Sequence, residues 1–396
     1  MSAHFSNPLF PPHDDADDLD DFASDIGSDV YTDISMDPFS PSIASSRTSA
    51  DISIRSASPA PSVYSLTSSL RAQSFRHEYG RGLNNYSEVY RLPADDEELE
   101  RLDKQYDMFY RVMGKYPNPL PQILADDVPG ETKAVLDLGC GSGKWIMDVA
   151  CEFPHSTAVA VDLVPMQSLS MPPNCRSEVD DINLGLEHFY GDFNVVHAQL
   201  ISSGIKDYKG LIDHISHVLR PGGLIDLTEF PFTFHSYDKK MMLPSPDDLQ
   251  APWAPLWMSL ANGAVRKQGG SADASFNLHR WISEHPAFED VTYREWWIPC
   301  SPWLQGKDAE SVFWNEIGAT MRDDILVGGR RRSFSPPLSF LLQAAFMSSG
   351  RPLLLGSGYS EALVDDIEAK ARAELLEART PSYVHVQNVY ARKKHH

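Results

Sequence analysis

The chain has 396 residues, 42% hydrophobic and 22% charged, close to globular averages and long enough to bury a sizeable core. Lysine and arginine total 34 against 55 aspartates and glutamates, a net charge of −21 that argues against non-specific binding to nucleic acid or anionic lipid. The start, MSAHFSNPLFPPHDD, lacks the basic and apolar blocks of a secretory signal, no apolar run approaches a membrane span, and Cys140, Cys151, Cys175 and Cys300 form no CxxC pair, so the expectation is an unsecreted protein of cytosol or nucleus without structural zinc.

Residues 1–75 carry 18 serines, 11 aspartates and three basic residues, Arg47, Arg55 and Arg71. Such a segment buries too little apolar area to offset its ordering entropy and is expected to be a disordered acidic tail. Within it Leu19, Phe22, Ile26, Val30 and Ile34 recur three or four apart among acids. They read as a solvated tail, with a segment that folds against a partner as the alternative. Ser40 and Ser58 precede prolines and offer weak phosphorylation signals.

Residues 76–130 read as N-terminal cap helices. After Pro93 the acids Asp95, Asp96, Glu97 and Glu98 crowd a first turn, and Leu99, Leu102, Tyr106, Phe109, Tyr110 and Met113 follow at helical spacing. Residues 131–235 read as a core that alternates strand and helix: strands at AVLDLG, AVAVDL, a short one ending near Asp181, FNVVHA and GLIDLTEF, with helices over 144–152 and KGLIDHISHVLR. That alternation predicts a parallel sheet covered on both faces. Residues 236–340 read as a substrate cap, and 341–396 as a helix (SEALVDDIEAKARAELLEA) and a last strand (SYVHVQNVYARKK), with VTYREWWIPC as a further strand.

The strongest local signal is VLDLGCGSGKW, residues 135–145, where an apolar strand ends in Gly139, Gly141 and Gly143 and a helix follows. Glycines there allow a tight turn and bring backbone amides to a ligand at a helix N-terminus. A dinucleotide fingerprint would need a third glycine at position 144, which is Lys144. The acid-xGxGxG loop, the acidic end of the next strand and Leu219-Arg220-Pro221-Gly222-Gly223 before a later strand together resemble class I S-adenosylmethionine-dependent methyltransferases. The resemblance implies a Rossmann-like α/β fold, a seven-stranded mostly parallel sheet with its last strand antiparallel, and S-adenosyl-L-methionine as cofactor. It further implies that Gly139, Gly141 and Gly143 line the methionine part, that Asp137 meets the ammonium, and that Asp162, 19 residues after Gly143, takes both ribose hydroxyls. Asp181 with Ile182 matches the pair that meets adenine, with Asp180 an equal alternative. His197, at the end of FNVVHA, stands where the family places residues beneath sulfonium and substrate. It ranks first as a catalytic group, followed by Glu229, with His235 and Tyr237 as further candidates.

Over roughly 79–235 the chain is similar to LaeA-like fungal methyltransferases, through YxLPxDxxExxRLxxQ (Tyr90 to Gln105) and FNVVHAQL. Asn194, Gln199 and Tyr106 depart from the aspartate, arginine and histidine that many such relatives carry, which leaves the acceptor pocket open. The resemblance implies a methyl acceptor that is a small molecule or a protein, and velvet-type regulatory partners in the nucleus; the net charge and the lack of a long apolar run lead to the expectation of no direct nucleic-acid or membrane binding. A non-catalytic scaffold acting through such partners remains the alternative. Trp253, Trp257, Trp296, Trp297 and Trp303 read equally as walls of an apolar acceptor pocket and as ordinary core, and Arg330-Arg331-Arg332 as a solvated loop rather than a nuclear signal.

Overall fold

A computed structural model describes residues 73–166, 171–326 and 345–395, all within one unit that runs from Tyr64 to His396. The tail residues Leu19 to Ile34, Ser40, Ser58 and the run Arg330 to Arg332 lie outside the described residues. The first elements are strands β1 (Phe75–Glu78) and β2 (Arg81–Asn84), an antiparallel pair closed by Tyr79 and Gly80 at φ 51° and 79°. Two consecutive positive φ values match the twist of a two-residue hairpin, so a hairpin precedes the expected cap helices.

Helix α1 (Asp96–Met113) follows. The Asp95 side chain accepts from the Glu98 amide at 3.1 Å, acids fill the first turn, and Gly114 ends the helix at φ 81°. Asp95 also takes two 2.8 Å hydrogen bonds from the Arg81 guanidinium and one from the Gly82 amide, so one carboxylate caps α1 and ties down the hairpin. A short helix, α2 (Pro119–Ile123), leads into the sheet.

Strands β3 (Ala134–Leu138), β4 (Thr157–Asp162), β5 (Cys175–Val179), β6 (Phe193–Gln199) and β7 (Leu219–Glu229) pair in parallel in the order β5-β4-β3-β6-β7. Their crossovers use α3 (Lys144–Glu152) and α4 (Tyr208–Val218). The sequence Leu219–Gly223 is an irregular stretch inside β7: the register with β6 jumps from Phe193↔Leu219 to Val195↔Leu224.

After β7 come β8 (Phe234–Ser236) and β9 (Met241–Met242), helices α5 (Trp253–Lys267) and α6 (Ala274–Glu284), and β10 (Phe288–Pro299). Helices α7 (Ala309–Leu326), α8 (Ala345–Gly356) and α9 (Glu361–Leu376) then lead to β11 (Ser382–Lys393). Strand β11 runs antiparallel to β7 and to β10, the direction expected for the last strand. The described sheet has nine strands rather than seven, because the β8–β9 hairpin pairs onto the end of β11 beyond the seven-stranded core.

Both faces of the parallel strands are largely apolar, as expected where helices cover both sides. Leu136, Leu138, Val196 and Leu227 pack with α4 and α6, whereas Val135, Val195 and Leu224 pack with Trp145, Ile146 and Val149 of α3. A further core gathers Phe232, Phe234, Val384 and Val386 under helices α5, α7, α8 and α9. Helix α1 bridges the two regions, resting on α3, α7 and α8. No helix among the described residues is long and apolar enough to cross a membrane.

Candidate functional site

The ends of β3, β4 and β6 open onto a cavity of about 210 Å³, roofed by α1. At its floor the glycine loop turns from β3 into α3, with Gly139, Gly141 and Gly143 at φ 71°, 55° and 77°. A Cβ on Gly139 would sit 2.6 Å from Ile201 Cγ2, so both the backbone conformation and the packing require glycine there. The Gly139 and Cys140 amides donate to the Val161 carbonyl at 2.8 and 3.0 Å, which binds the loop to the end of β4.

Asp162, the last residue of β4, completes this arrangement. One carboxylate oxygen accepts from the Gly141 amide at 2.9 Å and the other from the Val164 amide at 3.3 Å. Burial pushes its pKa up to about 6, with the nearby charge of Asp137 adding to the rise against those amide donors. A half-buried carboxylate so placed favours a ligand that brings hydroxyl donors.

Asp137, His197 and Asp226 occupy matching register positions on β3, β6 and β7 and form a polar row on the face covered by α3. Each is 3–4% exposed. His197 Nδ1 lies 2.9 Å from Asp137 Oδ1, its Nε2 4.0 Å from Asp226 Oδ2, and its ring stacks on Trp145 with centroids 3.7 Å apart. Burial alone would lower the histidine pKa, but the hydrogen bond to Asp137 and the charges of Asp137 and Asp226 outweigh it and raise it. The row continues through Asn388, which donates to Asp226 at 2.7 Å and accepts from Arg294 of β10. Nδ1 of His197 is thus taken up by Asp137, while its Nε2 faces Asp226 beyond hydrogen-bond distance.

Glu229 is placed differently from the sequence expectation. It is fully buried, does not line the cavity, and accepts from the Ile201 and Ser202 amides, the Ser202 hydroxyl and the Tyr208 hydroxyl at 2.8–3.1 Å. Burial raises its pKa to about 7 against those four donors. With its lone pairs engaged, it anchors the loop after β6 and is not positioned as a base. His235 and Tyr237 are also absent from the cavity: His235 packs edge-on to Trp297 and His385, and Tyr237 is 70% exposed.

Asp180, Asp181 and Ile182 all line the cavity. Asp181 caps a short turn through Asn183, and Asp180 lies 3.3 Å from His188. Among the tryptophans only Trp145 lines it; Trp257 is core, packed on Phe346 and Gly350. Phenylalanines take the wall role instead: Phe109, Phe230, Phe232, Phe234 and Phe346 line the half of the cavity away from the glycine loop.

In that half, sequence reasoning missed a buried charge cluster. Arg101 donates to Glu98 at 3.1 and 2.7 Å and to Asp324 of α7 at 3.1 and 3.3 Å, and Gln105 adds a 3.1 Å bond to Asp324. Ser349 of α8 donates to the other oxygen of Glu98. Glu98, Arg101 and Gln105 stand at i, i+3 and i+7, on one face of α1, so the motif spacing held half of the signal. The motif departures are accommodated locally: Tyr106 donates to Asp148, Asn194 accepts from the Ala134 amide and Arg220, and Gln199 lines the cavity.

The glycine loop, the acidic strand ends and the antiparallel β11 define a Rossmann-like methyltransferase. Comparison with known proteins agrees, since residues 105–281 match the family described as Methyltransferase domain. The chain is 43% identical to Secondary metabolism regulator laeA of Coprinopsis cinerea, over 80% of this chain and 74% of that protein. It is 27% identical to Methyltransferase pytC of Aspergillus terreus, over 67% and 75%. Among solved structures, a phosphoethanolamine N-methyltransferase 2 of Haemonchus contortus matches 79% of this chain and 61% of its own length at 16% identity and TM-score 0.39. The chain belongs to the LaeA-like methyltransferases.

Proposed function

We propose that this LaeA-like methyltransferase uses S-adenosyl-L-methionine, held on the glycine loop, to methylate an acceptor in the phenylalanine-lined half of the same cavity. The observation that carries the reading is the continuity of one cavity from Asp162 and the glycine loop to the apolar half under α1. The residues fit the cofactor. Asp137 Oδ2 has no hydrogen-bond partner among the described residues and suits an ammonium, and the half-buried Asp162 suits ribose hydroxyls. Asp181 and Ile182 line the side proposed for the adenine, and the predominance of acids among the charged lining residues suits a molecule of net positive charge. When bound, the cofactor supplies a methyl group already activated by its sulfonium, so the chain's task is alignment and exclusion of water. In this reading His197 is a positioning residue. Held between Asp137 and Asp226 and stacked on Trp145, it orients the Asp137 carboxylate.

Calorimetric titration of S-adenosylmethionine and S-adenosylhomocysteine into the protein, with Asp162→Asn and Asp162→Ala as variants, tests the reading. The expected result is saturable binding, weakened at least ~10-fold in Asp162→Ala, the cost of a charge-assisted hydrogen-bonding partner. No binding by a folded sample would overturn it and favour the scaffold. The 43% identity to a secondary metabolism regulator supports a second element of the proposal, that the enzyme works in regulation; velvet-type partners in the nucleus are the form of it that the family resemblance implies. Retention of such proteins in a pull-down from fungal nuclei is the expected outcome; their absence would leave a metabolite methyltransferase.

A further inference from the structure

The charges around the cavity are lopsided. Glu98, Asp137, Asp162, Asp180, Asp181 and Asp324 line it, against Arg101, Lys144 and His197. Lys144 is already paired to Asp107 at 2.6 Å on the outer side of α1. In the apolar half the imbalance is local: Arg101 is the sole cation among the described lining residues there, and it is shared between two buried carboxylates, Glu98 and Asp324. The cluster is 8% exposed at most, so water does little to offset the surplus negative charge. Gln199, the polar residue beside this half, carries no charge and makes no hydrogen bond to a described residue.

From this arrangement we infer that the methyl acceptor is a small amphiphilic amine, a cationic or N–H-donating head on an apolar body, with its head held by Glu98 and Asp324 and its body among Phe230, Phe232, Phe234 and Met321; a head nitrogen that is itself to take the methyl first gives its proton to one of these carboxylates, which frees the lone pair for the new N–C bond. The inference rests on the proposed cofactor reading and specifies the acceptor within it. A carboxylate head would meet two like charges in a poorly solvated site, whereas an ammonium completes a two-to-two pairing with the cluster. Burial pushes the Asp324 carboxyl up against the pull of Arg101, in keeping with a carboxylate that lacks a full counter-charge. Arg101 is itself committed, to both carboxylates and to the face of Phe346 at 5.7 Å, so it is not free to receive an anion. The enclosure of the phenylalanine walls favours a compact molecule over a folded protein surface.

The test is calorimetric titration of three matched probes, 4-phenylbutylamine, 4-phenylbutanamide and 4-phenylbutanoate, into the full-length protein saturated with S-adenosylhomocysteine. The amine is expected to bind about 10-fold tighter than the amide, and the carboxylate weaker than both, from one unit charge at intermediate dielectric. Asp324→Asn should bring amine and amide within about twofold of each other, since it removes that charge. Gln199→Lys, at a side chain without a hydrogen-bond partner, should erase the preference for the amine and admit the carboxylate without disturbing the Arg101 cluster. Equal binding of the three probes, or tightest binding of the carboxylate, while S-adenosylhomocysteine still binds, would overturn the amine assignment and leave the cofactor reading intact. Failure of S-adenosylhomocysteine itself to bind would remove both.

Discussion

The two halves of the cavity differ in how they are assembled. The half proposed to hold the cofactor is built from strand ends and the turns that follow them: Asp137 to Gly143 at the end of β3, Asp162 at the end of β4, Asp181 after β5 and His197 on β6. The half proposed to hold the acceptor is assembled from α1, the segment after β7, α5, α7, α8 and β11, elements distant in the chain. Main-chain geometry shapes the first half and side-chain packing shapes the second. The first is therefore constrained by conformations that few residues can adopt, whereas the second tolerates exchange of one apolar side chain for another, as repackable cores do. A single fold can thus keep its cofactor while changing its acceptor.

The sharpest way to break that contrast is His197→Gln, which leaves Asp137 and Asp226 buried without the imidazole that lies between them. A loss of ~3 kcal/mol in unfolding free energy is expected, as for other broken buried ion pairs. Because the folded pKa of His197 is raised, its stabilisation is present in full at and below the ordinary histidine range and is lost as pH climbs through the folded value. The gap between wild type and variant should therefore narrow from pH 6 to pH 9 in urea unfolding, and a gap independent of pH would refute the charged histidine. Gly139→Ala comes next, with ~2 kcal/mol lost to the positive φ and the Ile201 contact and at least ~10-fold weaker S-adenosylhomocysteine binding. Retention of wild-type affinity by that variant would mean the loop does not shape the cofactor half.

Phe230→Leu probes the other half. It should cost ~1 kcal/mol and leave S-adenosylhomocysteine affinity within about twofold, while acceptor turnover falls. Loss of cofactor affinity of the same size as turnover would show that the halves are not separable. The smallest effect is expected for Asp107→Asn, which removes the exposed Lys144 pair: no more than ~0.5 kcal/mol, read as a thermal shift. A larger loss would make that pair a latch between α1 and the glycine loop.

Legibility in the sequence followed the same division. VLDLGCGSGKW and the end of AVAVDL could be placed because strand, turn and helix signals are local and period-specific. The hairpin at Tyr79-Gly80 was missed because a tyrosine at φ 51° is a choice the surrounding structure imposes, not one its own chemistry prefers. Glu229 was a reasonable acid from its place after a strand, but four donors from two other segments decide what it does. The tryptophans beyond residue 253 were visible as apolar mass, yet which aromatic rings face the cavity depends on how α5, α8 and the sheet pack.

The amino-acid order alone determined the alternation of strands and helices, the acidic first turn of α1, the glycine turn and the acid at the end of β4, since each depends on dihedral preferences and local periodicity. Tertiary structure alone decided that Arg101 meets Asp324 across 223 residues, that His197 lies between two aspartates, and that phenylalanines rather than tryptophans wall the acceptor half. Buried charges and close-packed rings are set by which distant segments come together, because the energy of a desolvated charge or a packed ring depends on every atom around it and not on its neighbours in sequence.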